Sequence, residues 1–122
     1  YSAAFLSLKA NCTITFCAAV SNPSGGTLAE PGIDRINRNT AGFTAPPYAN
    51  TGYIDGTIKP ATIWDPVKYC NVWVLSLGGG LLGYATFPTG TGLTGITGSG
   101  TANTDGVVIG YNYYGDIGTV SA

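Results

Sequence analysis

The sequence predicts a small β-dominated α/β fold, with a mixed sheet, long Gly/Thr/Pro loops and little helix. Short apolar or alternating segments of strand length recur along the chain, and clusters of Gly, Pro, Asn and Asp separate them. Hydrophobic residues form 44% and charged residues 9% of the sequence, a balance that excludes disorder. At 122 residues, the chain fits one domain.

The first third of the chain predicts two strands. Residues 1–10 fit a short helix or a docking arm. Residues 13–20 alternate and then run apolar, which predicts a strand bounded by the breaker cluster that follows it. Residues 32–38 alternate between apolar and polar side chains, which predicts a second, half-exposed strand or a β-arm.

The middle of the chain predicts a long loop and then one helical turn. Residues 40–60 contain four dipeptides that usually interrupt regular structure: Pro46-Pro47, Thr51-Gly52, Asp55-Gly56 and Lys59-Pro60. In residues 64–69, Asp65 is placed to cap a single helical turn, with Pro66 at its first position.

The last third predicts the remaining strands, for a total of four or five. Residues 71–77 form a near-continuous apolar run, which predicts an interior strand covered on both faces. Residues 81–87 predict a second strand here, and residues 107–114 predict the last. The Gly/Thr-rich residues 89–104 between them predict a loop.

Charge and hydropathy argue against nucleic acid and a membrane span, and low charge favours a homo-oligomer. The net charge is −1, and the scattered basic residues form no stripe that would neutralise phosphates, so nucleic acid is not a predicted partner. No apolar stretch approaches the roughly 18 residues of a membrane-spanning helix. Few charges also mean little repulsion between copies, which favours association into a homo-oligomer.

Neither catalytic nor metal-binding residues are predicted in this chain. The sequence has no histidine, so it lacks the usual general base and the commonest metal ligand. Turn or cap positions account for four of its five aspartates: Asp55, Asp65, Asp105 and Asp116. Glycines 78–80 lack the pattern of a phosphate-binding loop and predict a tight connection between strands.

Three cysteines leave two alternatives open. Cys12 and Cys17 lie about 16 Å apart in an extended chain, too far for a disulfide unless the chain folds back there. A disulfide would therefore join Cys12 or Cys17 to Cys70, leaving one thiol over. Alternatively, all three are buried free cysteines that act as small apolar residues.

Segments along nearly the whole chain resemble the pappalysin-type zinc metalloproteases, which are secreted metzincins. The resemblance is carried, in order, by Ile14-Thr15-Phe16-Cys17-Ala18, Gly32-Ile33-Asp34-Arg35, Asp55-Gly56-Thr57-Ile58, Tyr69-Cys70-Asn71-Val72-Trp73-Val74, Gly79-Gly80-Leu81-Leu82-Gly83-Tyr84-Ala85-Thr86-Phe87-Pro88 and Thr104-Asp105-Gly106-Val107-Val108. It implies an extracellular protein, with residues 1–122 a single domain or an incomplete fragment of a catalytic domain.

The resemblance also implies a substrate-binding site. Such proteases have a twisted, mostly parallel sheet whose antiparallel edge strand borders the cleft and pairs with the substrate peptide. The matching residues here are Gly80, Leu81, Leu82, Gly83, Tyr84 and Ala85. An edge strand offers free N–H and C=O groups to an extended peptide or a neighbouring strand. Gly83 would leave room for the approach, and Leu82 would line a specificity pocket.

The chemistry of the family is missing from these residues. Its active site needs three histidines and a methionine turn, and the sequence has no histidine and no methionine. No cofactor is therefore predicted in this chain, which is expected to be inactive alone; zinc is expected only with a downstream segment. The alternative is a secreted, self-assembling structural subunit on a degenerate protease-like scaffold. A peptide-binding module without catalysis is a third hypothesis.

Overall fold

The chain divides into two structural units, Tyr1–Ile36 and Asn37–Ala122. A computed structural model describes residues 13–86 and 100–115. The helix or arm predicted at residues 1–10, and most of the loop predicted at 89–104, lie outside the described residues.

The first unit contains a tight turn around Asn22. Asn22 Oδ1 accepts a hydrogen bond from the backbone N–H of Gly26 at 2.8 Å, so the side chain replaces a backbone acceptor. Gly25 has a φ of 89°, in the left-handed region that glycine adopts without steric cost. The turn brings Ser21 and Thr27 together in an isolated antiparallel bridge, as expected from the breaker cluster.

The strand predicted at residues 13–20 is not formed within the described part of the chain. These residues form no strand, and the side chains of Ile14 and Phe16 are 70% and 79% exposed. Alternation reports a local preference only, whereas a strand also needs a neighbour that bonds its backbone and covers one face. The prediction was therefore wrong about pairing.

The strand predicted at residues 32–38 is also wrong. Ile33 makes one isolated bridge with Glu30, and the chain then enters helix α1 (Arg38–Ala41). Asn37 caps this helix, because its side chain accepts hydrogen bonds from the N–H groups of the second and third residues after it. This local capping competes with an extended conformation.

A helical segment, residues 51–62, replaces much of the loop predicted at residues 40–60. It consists of α2 (Thr51–Tyr53), a π-helical turn (Ile54–Ile58) and α3 (Lys59–Thr62). The prediction of a loop is wrong here, because it weighed the breaker dipeptides and not the packing of this segment.

A side-chain cap and a change in the hydrogen-bond ladder allow the helical segment to include Gly52 and Pro60. Asn50 Oδ1 accepts the N–H of Gly52 at 2.8 Å, which satisfies one donor of the first turn. Pro60 has no N–H with which to continue an α-helical ladder. The ladder changes register immediately before it, where the Lys59 N–H bonds the carbonyl oxygen of Ile54.

A mixed sheet forms the centre of the second unit. Within the described residues it has three strands, β1 (Val72–Leu75), β2 (Gly83–Ala85) and β3 (Val107–Gly110), in the order β1-β3-β2. β3 pairs parallel with β1 and antiparallel with β2. A β-dominated mixed sheet with little helix is therefore confirmed, with three strands described instead of four or five.

The strand predicted at residues 71–77 exists, but its predicted interior position is wrong. β1 lies at one side of the described sheet, and Val72 and Val74 are 46% and 42% exposed. β3 occupies the middle instead. Just after β1, Leu77 forms an isolated parallel bridge with Tyr48.

β2 and β3 are shorter than predicted. The strand expected at 81–87 is regular over Gly83–Ala85. The strand expected at 107–114 ends at Gly110, where the chain turns into the 3₁₀ helix Tyr111–Tyr113.

The core lies between the helical segment and β3. Its buried residues are Tyr48, Ile54, Ile58 and Val108. Ile54 and Ile58 are four positions apart and share one face of the helical segment. Val108 is fully buried in the central strand. The partly buried residues packed against them are Phe43, Tyr53, Trp73, Leu75, Leu77 and Tyr84.

The helical turn predicted at residues 64–69 is present. The carbonyl oxygen of Asp65 accepts the N–H groups of Lys68 and Tyr69 at 3.0 and 2.9 Å. Asp65 Oδ1 accepts the N–H of Val67 at 3.0 Å, which completes the predicted cap and lowers the pKa of the Asp65 carboxyl group.

Cys17 and Cys70 are exposed free thiols, so the alternative of buried cysteines is wrong for these two. Cys12 lies outside the described residues. A disulfide to Cys70 stays a prediction.

Candidate functional site

The candidate site is the outer edge of β2, and the hydrogen-bond register decides which residues face it. The carbonyl oxygen of Leu82 accepts the N–H of Gly110 at 2.8 Å, and the N–H of Thr86 donates to Gly106 at 3.0 Å. Leu82 and Thr86 therefore direct their backbone groups towards β3. Tyr84, halfway between them, does the same, because hydrogen-bonded positions recur at every second residue of an antiparallel pair.

Gly83 and Ala85 consequently direct their N–H and C=O groups away from β3. Within the described residues, β2 has no second neighbouring strand. Ala85 is exposed and Gly83 is half-buried. The outer edge of β2 thus presents two backbone donors and two backbone acceptors.

Gly83 is required by the strand behind it. A Cβ atom at this position would lie 2.5 Å from the carbonyl oxygen of Val108 and 3.3 Å from Cα of Ile109. The sequence indicated that Gly83 leaves room for a peptide. Its close approach to β3 is a reason for glycine that the sequence did not reveal.

The other predicted site residues lead into β2. Gly80 has a φ of 77°, and the N–H of Leu81 donates to Gly78 at 3.2 Å, so the chain turns sharply there. Leu82 follows with its side chain 57% exposed. Its proposed role in a specificity pocket stays a prediction.

Behind β2 lies a fully buried lysine that the sequence did not predict as part of the site. Lys59 is 0% exposed. Its Nζ atom lies 2.8 Å from Asp55 Oδ1, 2.9 Å from Thr86 Oγ1 and 3.2 Å from the carbonyl oxygen of Thr104. An ammonium group has three donors and no acceptor, so these three oxygens satisfy it. We call Lys59, Asp55, Thr86 and Thr104, with the rings of Tyr84 and Trp73, the lysine cluster.

Two aromatic rings complete the lysine cluster. Lys59 Nζ lies 4.6 Å from the ring centroid of Tyr84 and 5.4 Å from that of Trp73, both within cation–π range. Trp73 is held by its Nε1–H, which donates to Thr62 Oγ1 at 2.9 Å. The ammonium thereby contacts side chains of both β1 and β2.

Tyr84 links β2 to the helical segment. Its hydroxyl donates to Asp55 Oδ1 at 2.9 Å. Burial raises the pKa of the Tyr84 phenol well above its usual value, and the hydrogen bond to Asp55 adds to the rise. Tyr84 therefore acts as a neutral hydrogen-bond donor, and the phenol supplies no proton acceptor for chemistry near neutral pH.

A signal for the lysine cluster was present in the sequence. Asp55 and Lys59 are four residues apart, the spacing at which opposite charges meet on one helix face. Asp55-Gly56 and Lys59-Pro60 were interpreted as breaker dipeptides instead. The helical segment that brings Asp55 and Lys59 together was therefore not predicted.

The described residues of the second unit are better suited to binding a peptide backbone than to catalysis. Asp55 is held by Lys59 and Tyr84, and Asp65 caps a turn. In the part of the chain that the structure describes, no three His, Cys, Asp or Glu side chains form a group that could hold a metal ion. These described residues therefore do not fit a zinc site.

Comparison with protein-family models, curated proteins and solved structures found no match to this chain. Among residues 13–86 and 100–115, no helix is long and apolar enough to cross a membrane.

Proposed function

We propose that β2, with residues 80–82 before it, is the substrate-binding edge strand of a secreted zinc metalloendopeptidase of the pappalysin type. In this role the chain binds an extended peptide and supplies none of the catalytic residues. The observation that carries the proposal is the outer edge of β2, where Gly83 and Ala85 present unpaired backbone groups within the described sheet.

The sheet topology supports this proposal. The family resemblance implies a mostly parallel sheet with an antiparallel strand at the edge that borders the cleft. Here β1 is parallel to β3, and β2 is antiparallel to β3 at the side of the described sheet. β2, the strand that the resemblance implies for substrate binding, thus has the antiparallel orientation and the side position that the resemblance implies.

Strand addition determines what the edge recognises. A peptide that adds to β2 would exchange hydrogen bonds with the N–H and C=O groups of Gly83 and Ala85, which carry no sequence information. The segment from residue 80 to residue 86 has no charged side chain. We propose that the edge favours extended peptides with uncharged side chains at the contact.

Ala85→Pro tests the proposal, because it removes one outward N–H group and leaves the hydrogen bonds to β3 in place. Proline is tolerated on edge strands where the missing N–H faces solvent. A pool of dye-labelled random decapeptides would be screened by fluorescence anisotropy. We expect the proline variant to bind the tightest decapeptide about tenfold more weakly than the parent chain does, because one hydrogen bond and the close approach of the peptide to β2 are lost.

Ala85→Val is the matched control, because it keeps the N–H group and favours an extended backbone. Peptide affinity is expected to stay within about twofold of the parent chain. Equal affinity for the proline variant and the valine variant would contradict strand addition at this edge, as would the absence of any binder in the pool.

A second candidate is self-assembly into a structural oligomer by strand addition between copies. The exposed, uncharged residues 14–18 favour it: Ile14 and Phe16 alternate with smaller side chains and carry the pattern of a strand without a strand partner in the described chain. Such a segment can add to the edge of another copy.

Sedimentation velocity over a range of concentrations separates the two candidates. Assembly predicts larger species in the parent chain that Phe16→Lys and Ala85→Pro both reduce. A monomer at all concentrations would reject assembly and leave peptide binding.

A further inference from the structure

β2 is held by β3 on one side and by the lysine cluster behind it. The strand is three residues long and pairs with β3 on one side. Short edge strands have few backbone hydrogen bonds of their own, so their position depends on what packs behind them.

Lys59 reaches the strand at two points. The ring of Tyr84, in the middle of β2, lies 4.6 Å from Lys59 Nζ. Thr86, directly after β2, accepts the same ammonium group through Oγ1 at 2.9 Å. Both side chains lie on the face of the strand that points to the helical segment, because they are two residues apart.

We infer that Lys59 is a positioning residue for the peptide-binding edge: the buried ammonium fixes β2 from behind, so that Gly83 and Ala85 hold their backbone groups in register for a peptide. The inference rests on the proposed function, since it gives Lys59 a part in binding at that edge. Lys59 itself is fully buried and touches no peptide.

Thr86 offers the sharpest test, because one hydroxyl carries the bond to Lys59. Thr86→Val keeps the size and shape of the side chain and removes the acceptor. Thr86→Ser keeps the acceptor and is the rescuing variant. We expect Thr86→Val to weaken binding of the tightest decapeptide by about tenfold and Thr86→Ser to stay near the parent affinity.

A second test removes the ammonium without leaving an unpaired carboxylate. The double variant Lys59→Met with Asp55→Asn keeps an acceptor for the Tyr84 hydroxyl. Amide hydrogen exchange is then measured on the full chain without peptide. We expect the amides of Tyr84 and Thr86 to exchange at least about tenfold faster, with smaller changes in β1.

Lys68→Met is the matched control for loss of a lysine. Lys68 is 71% exposed and pairs with Asp65 at 3.3 Å on the surface, so neither exchange in β2 nor peptide affinity should change.

The two proposals fail in different ways. If the parent chain binds no peptide, the proposed function fails, and the exchange of the β2 amides still decides whether Lys59 fixes the strand. If the parent chain binds peptide and Thr86→Val binds equally well, the role of Lys59 is overturned while the binding edge stands. Unchanged exchange in the double variant would also overturn it.

Discussion

The hydroxyl of Tyr84 and the ammonium of Lys59 meet on one oxygen atom of Asp55. The phenol donates to Asp55 Oδ1 at 2.9 Å, and Lys59 Nζ lies 2.8 Å from the same atom. Asp55 and Lys59 belong to the helical segment and Tyr84 to β2, so this shared oxygen joins the helix to the edge strand.

Lys59→Met should destabilise the chain by about 3 kcal/mol. Removing one partner of a buried ion pair costs about 3–5 kcal/mol. The lower figure applies because the Asp55 side chain is 37% exposed and water can partly solvate the carboxylate left behind. The free energy of unfolding from urea denaturation measures the loss. Adding Asp55→Asn should recover part of it, and no loss in the single variant would contradict a stabilising pair.

Gly83→Ala should destabilise by about 1–3 kcal/mol, the usual cost of overpacking. The new Cβ atom would lie 2.5 Å from the carbonyl oxygen of Val108, so β2 has to move away from β3. Gly56→Ala is the control, because nothing lies within 4 Å of its Cβ position. In the helical segment that change should stabilise by about 0.5–1 kcal/mol. Thermal unfolding of both variants checks the opposite signs.

Stability should fall at alkaline pH through Tyr84. Its pKa is raised in the folded state by burial and by Asp55, so the neutral phenol binds its proton more tightly there than in the unfolded chain. This contribution is complete below about pH 10, the usual tyrosine pKa, and is lost as pH rises towards the folded value. Tyr84→Phe should therefore show a shallower loss of stability between about pH 10 and 12.

Absorbance of the tyrosinate ion tests the same assignment directly. Burial also raises the pKa of Tyr48, so the folded chain should contain late-titrating phenols, and Tyr84→Phe should remove one of them. An unchanged titration in that variant would show that Tyr84 ionises like an exposed phenol.

Asn71→Asp should destabilise more than Asn71→Ala. The amide oxygen accepts the N–H of Trp64 at 3.0 Å, and the amide nitrogen donates to the carbonyl oxygens of Trp64 and Tyr69 at 3.0 and 3.3 Å. A carboxylate has no donor for those two carbonyl groups and would repel them. We expect an additional loss of about 1–3 kcal/mol in urea denaturation at neutral pH. The difference should shrink when the carboxyl group is protonated at low pH.

Sequence predicted the parts of the fold that local chemistry controls. The turn at Asp65 formed as predicted because a side-chain cap and a following proline act within three residues. β2 and β3 lie within their predicted ranges, since turn residues mark both strands. Of the candidate edge residues, Gly83, Tyr84 and Ala85 lie on a strand at the side of the described sheet, and residues 80–82 lead into it; their role in binding stays a prediction.

Tertiary contacts decided the rest. The helical segment forms although Gly52, Gly56 and Pro60 disfavour it, because Ile54 and Ile58 are buried against the sheet. β1 was expected in the interior because its apolar run looks the same in a central strand and in a half-exposed one. Residues 13–20 have the alternation of a strand, but alternation does not supply the neighbour that a strand needs.

The lysine cluster also joins two points of the chain that are distant in sequence, Thr86 and Thr104. Thr86 lies at one end of the connection between β2 and β3, and Thr104 lies at the other end. The ammonium group of Lys59 donates hydrogen bonds to both residues. The cost of closing a connection rises only slowly with its length. Extra residues inserted between residue 86 and residue 100 should therefore cost little stability, because one ammonium group holds both anchor points. This makes the connection a natural insertion point for engineering.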